Sequence, residues 1–79
     1  MAFVNRFYPL EPSDKKRPHS ECECSWRMAR RGQQVVLQLD TYGSPQRQDG
    51  GTVSQSLQLD ESTTAQLVAV IRTAFPRIA

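Results

Sequence analysis

From Glu21 onward the chain alternates. Cys22, Cys24, Trp26 and Met28 fall on one side of an extended strand, while Glu21, Glu23, Ser25 and Arg27 fall on the other, which predicts a half-buried β-strand. Arg30, Arg31, Gly32 and Gln33 then supply a hairpin turn, with the glycine providing the positive φ that tight turns require. A second strand is predicted from Gln34 to Tyr42, with Val35, Leu37, Leu39 and Thr41 on one face and Val36, Gln38, Asp40 and Tyr42 on the other. Gly43, Ser44 and Pro45 end it, and residues 43–51 read as a polar loop around Gln46, Arg47 and Gln48. The third strand runs from Thr52 to Leu59, with Val53, Leu57 and Leu59 inward, Gln55 as the polar exception, and Ser54, Ser56 and Gln58 outward.

After Leu59 the period changes from two to between three and four. Ala65, Leu67, Val68, Ile71, Ala74 and Phe75 form one apolar stripe of a helix, with Gln66 and Arg72 facing solvent. Asp60 is suited to accept from the free amides of the first turn, Glu61 adds negative charge at the positive end of the helix dipole, and Pro76 stops the element. The sequence therefore predicts an α+β fold, a small antiparallel β-meander over residues 21–59 packed on one face by a C-terminal amphipathic α-helix over 61–75. Residues 1–20 form an N-terminal arm. Within it, residues 3–8 read as an edge strand or an arm that docks Phe3, Phe7 and Tyr8, and residues 11–19 as a proline-rich, charged loop.

A length of 79 residues leaves room for one domain, near the lower limit for independent folding. Its core supplies about 3 to 5 kcal/mol, so a second subunit is expected and the chain reads as a homodimer. Ten Lys or Arg against eight Asp or Glu give a net charge of +2, too small to dictate a polyanionic partner, but the cations cluster. Lys15, Lys16 and Arg17 form one run, and Arg27, Arg30 and Arg31 gather near the turn. No stretch resembles an export signal or a membrane span, so a cytoplasmic, soluble protein with no membrane partner is expected. Cys22 and Cys24, one residue apart on the same side of a strand, are expected as reduced, inward-facing thiols.

The polar sheet face offers the chemistry that single-stranded nucleic acid requires: amides and hydroxyls for base edges, an aromatic for stacking, arginines for phosphate. The residues assigned to it are Lys15, Lys16, Arg17, Arg27, Arg30, Arg31, Tyr42, Arg47 and Gln58, with Tyr8 as a further stacking group. The competing reading is a plain solvated face, since antiparallel sheets routinely leave one side wet. A protein-interaction module, such as an accessory subunit of a bacterial or phage assembly, is the alternative function. His19, Cys22 and Cys24 have metal-binding side chains, but no further His or Cys completes a four-ligand set, so neither a metal nor another cofactor is expected. Catalysis is not expected either. A nucleophile such as Ser44 or Cys24 needs a base within reach and an orienting third group, and the single histidine lies in the proline-rich segment.

Val36-Leu37-Gln38-Leu39-Asp40, the polar loop with Arg47, Ser56-Leu57-Gln58-Leu59 and the helix from Glu61 follow one another in an order that resembles the positive-cofactor-four family of transcriptional coactivators and their bacterial relatives. The resemblance covers roughly half the chain and is one of pattern. It implies a dimer formed through helix and sheet, and binding of single-stranded DNA on curved β-ribbons. The chain departs from the family in having one arginine and no lysine in the loop, and in its Cys22-Glu23-Cys24 strand.

Overall fold

A computed structural model describes residues 1–14, 17–43 and 52–79. Its elements are β1 (Ala2–Val4), β2 (Cys24–Arg31), β3 (Gln34–Tyr42), β4 (Val53–Leu59) and α1 (Glu61–Ala74). The α+β class stands. The four strands make one sheet in the order β1-β4-β3-β2, antiparallel except where β1 joins β4 in parallel. Among the described residues no helix is long and apolar enough to cross a membrane.

The local chemistry explains most boundaries. Gly32 has φ 60° and no other described residue has positive φ, so the two-residue β2–β3 turn places its glycine first, as a type II′ turn demands. The strand reaches Arg31 rather than stopping before Arg30, because a two-residue turn releases the flanking arginines to pair, Arg31 with Gln34 and Arg30 with Val35. At the other end of β2, Glu21 to Glu23 precede the strand, and among the described residues the Glu23 carbonyl alone bonds across, to the Tyr42 amide at 3.1 Å. The N-terminal segment contributes three residues to the sheet, Ala2–Val4, instead of residues 3–8. Arg6 stacks instead on the Tyr8 ring at 5.0 Å.

Asp60 caps α1, its Oδ1 accepting from the Thr63 amide at 2.8 Å. At the far end the Phe75 amide donates to the Ile71 carbonyl, and Pro76 prevents another turn. Phe75 thus closes the helix from outside it.

Register fixes the faces, since paired residues share a side of the sheet. Trp26, Leu39 and Leu57 lie in one row and Met28, Leu37, Leu59 and Val4 in the next, making an apolar face. Arg27, Gln38, Gln58 and Phe3 form one row of the opposite, polar face, with Ser25, Asp40 and Ser56 beside it. The sequence assigned these faces correctly with one exception. A bulge between Thr41 and Tyr42 pairs Tyr42 with Val53, which turns Val53 toward the polar side instead of the core.

The helix packs against β3 but leaves much of the apolar face uncovered. Val36 and Leu59 are buried, whereas Trp26 is 68% and Met28 66% exposed. Helix residues Ala65 and Val68 instead flank an open apolar hollow of about 420 Å³ whose sheet side is Met28, Leu37 and Leu59. Cys22 and Cys24 are free and exposed, contrary to the expectation of buried thiols. Cys24 does share the Trp26 face, but it is exposed there.

Candidate functional site

Asp40 organises the polar face. Its carboxylate has no donor of its own, so any group near it must present a proton. The Ser56 hydroxyl donates to Oδ1 at 2.6 Å, and the Gln38 Nε2 donates to both oxygens at 3.1 and 3.0 Å. With its NH₂ so committed, Gln38 turns its carbonyl toward β4, where the Gln58 Nε2 donates to it at 2.8 Å. One carboxylate thereby orients two amides in series. Asp40 itself is 4% exposed.

These hydrogen bonds hold the Asp40 pKa below its ordinary value of 3.8, the Ser56 hydroxyl contributing most, Gln38 next, and the Arg27 charge adding to them against the desolvation. Asp60 is likewise lowered, chiefly by the Thr63 amide. Both acids therefore favour the folded state when ionised. That contribution is complete above about pH 4 and disappears as pH falls through the lowered folded-state values. The melting temperature is expected to be level from neutral pH down to about 4 and to drop below it. Asp40→Asn should melt lower at pH 7 and show a shallower acid decline, because an amide brings a donor to a place built from donors. An unchanged melting curve at pH 7, measured by circular dichroism, would remove Asp40 from the network.

On the same face the Arg31 guanidinium lies over the Phe3 ring, 3.9 Å from its centroid. These residues belong to opposite edge strands, so the arginine side chain must cross the sheet. Arg31 starts in the register of Gln34 and Phe3 lies in that of Gln38; Val36, between those registers on the same face, is 1% exposed. Phe3, Arg31, Gln38, Val53, Ser56 and Gln58 surround a hollow of about 330 Å³, with Asp40 also on its wall.

Of the residues assigned from sequence, Arg27, Arg31, Tyr42 and Gln58 share this face. Tyr42 is half-buried, its hydroxyl within 2.6 Å of Ser25 Oγ. Arg30 alternates to the apolar side beside Val35, separated from the other arginines. Arg17 is exposed in the segment between β1 and β2. Lys15, Lys16 and Arg47 lie outside the described residues. Phe3, Gln38 and Ser56 were not assigned. The Gln38 and Ser56 positions were legible from their place in the outward alternation, while Phe3 depended on the parallel pairing of β1, which nothing in a three-residue strand announces. No family model, curated protein or solved structure matches this chain.

Proposed function

We propose that this chain is a small nucleic-acid-binding protein, directed to single-stranded DNA and acting as a homodimer. The observation that carries the reading is the convergence of Arg27, Arg31, Tyr42 and Gln58 on one polar sheet face whose amides are held in fixed orientations. Cations for phosphate, an aromatic ring and rigid amides for base edges are what an unpaired strand engages. The helix is a poor candidate for the major groove of a duplex, since Arg72 is its only basic residue and no base-reading row accompanies it. Arg17, Arg47, Lys15 and Lys16 are assigned to phosphate contacts by their charge, and Arg30, on the apolar side, is left out of them. The order of strands, loop and helix that resembles the positive-cofactor-four family supports the same class.

Titration of a fluorescent twelve-nucleotide single strand, followed by anisotropy across a salt series, tests it. Affinity should fall steeply with salt, and Arg27→Ala should flatten the slope of log K against log salt by about 0.7, the share of one phosphate contact on a single strand. A duplex of the same sequence should bind more weakly. The exposed Trp26 and Met28 favour a second reading, a protein-interaction module. Absence of binding to either oligonucleotide at low salt would sink the first reading and leave the second.

A further inference from the structure

The hollow on the polar face has a floor and a rim of different character. Asp40 is a carboxylate in the wall, and the three hydrogen bonds it accepts hold it ionised. A phosphate seated beside it would face like charge. Arg31 and Phe3 form a stacked pair at one side, and Gln58 is half-buried with one N–H spent on Gln38. Its carbonyl oxygen and second N–H have no partner among the described residues. They form an adjacent acceptor and donor, the pattern with which a glutamine side chain reads a base edge.

We propose that this hollow receives one unpaired nucleobase of a bound strand, stacked against the Phe3–Arg31 pair and hydrogen-bonded through Gln58, with its phosphates turned outward toward Arg27. The proposal rests on the nucleic-acid reading above and adds where a base enters and which groups read it. Four observations converge on it. The volume, about 330 Å³, lies at the small end of ligand sites, which span roughly 300–1,000 Å³, and so suits a base with its sugar better than a longer segment. The Asp40 charge selects a neutral group over a phosphate. The Asp40–Gln38–Gln58 series fixes the reading amide before the strand arrives, so little side-chain freedom is lost on binding. Arg31, already held over an aromatic ring, offers a planar cationic surface for stacking.

The test uses the full chain, ¹⁵N-labelled, titrated with an eight-nucleotide deoxythymidine strand and with an equally long strand of abasic residues carrying the same phosphates. The side-chain NH₂ signals of Gln38 and Gln58 should shift with the first strand and stay in place with the second. By anisotropy the base-bearing strand should bind roughly five- to 150-fold more tightly, the value of one stacked base. Gln58→Leu and Phe3→Leu, checked for native folding by circular dichroism, should each remove most of that difference while leaving the abasic strand's affinity unchanged. Equal binding of both strands, or stationary Gln38 and Gln58 signals during tight binding, would overturn the base site and leave the nucleic-acid reading intact. Failure of both strands to bind at low salt would overturn the two together.

Discussion

Leu59→Ala is expected to unfold the protein at room temperature, an effect larger than that of any other single truncation in the chain. Leu59 ends β4, is 2% exposed, and stands in one row with Leu37, Met28 and Val4 immediately before the Asp60 cap. It therefore joins the sheet to the first turn of the helix. Truncating a buried leucine to alanine costs about 2 to 5 kcal/mol through lost transfer energy and the residual cavity. A chain of this size has a net stability of about 3 to 5 kcal/mol, so the loss is comparable to the whole. Leu57→Ala is the internal control. It removes the same atoms from the same strand and face, but Leu57 is 36% exposed in the single chain, so in protein dilute enough to be monomeric the smaller area it buries predicts a smaller loss. Urea denaturation followed by circular dichroism distinguishes the two. A cooperative transition for Leu59→Ala at the wild-type midpoint would mean that the sheet and helix do not share a core at this point.

How legible the fold was depended on how local its causes are. The turn at Gly32, the alternation of β3, the Asp60 cap and the stop at Pro76 each follow from a few neighbouring residues, and all were readable. The parallel pairing of Ala2–Val4 with β4 is not local, since more than fifty residues separate the partners and three residues carry no usable period. The bulge at Thr41/Tyr42 inserts one residue of phase into β4 and so reverses Val53, which simple alternation places in the core. Burial was the least legible feature. Alternation says which residues share a face, and it placed Cys24, Trp26 and Met28 together correctly, but it cannot say whether anything covers that face. The candidate site shows the same division. Gln58 and Arg27 were assigned from outward positions in their strands, whereas the Arg31–Phe3 pair requires the sheet to bring two opposite edges together.

The protein is expected to elute from size-exclusion chromatography with light scattering at twice the mass of one chain, and its melting temperature should rise with protein concentration. A single chain is open for its size. Its radius of gyration is 14.8 Å, where a compact chain of 79 residues has about 12 Å. Its accessible surface is 7451 Å², about one and a half times that of a compact protein of 9.0 kDa. The exposed segment joining β1 to β2 accounts for part of the excess. The remainder includes the face of Trp26, Met28 and Leu57 and the helix residues Val68 and Val70, all at least 36% exposed. A standard interface removes roughly 800 Å² per partner, and that face with the adjoining apolar hollow is the surface from which to remove it. A second copy is the occupant expected, because an isologous pairing sets each apolar face against its equal and leaves both polar faces free for ligand. A partner copy that binds the folded chain and not the unfolded one stabilises it more as concentration rises, which is why the melting temperature reports the assembly. Met28→Asp should dissociate it, since the charge enters the hollow where Leu37, Leu59 and Val68 meet. Cys24, on the same face, should react with an alkylating agent quickly in dilute protein and more slowly in concentrated protein, while Asp40→Asn on the opposite face should leave the mass unchanged. A monomer at micromolar concentration with a sharp, concentration-independent melt would refute the pairing, and would require the half-covered sheet to be stable by itself.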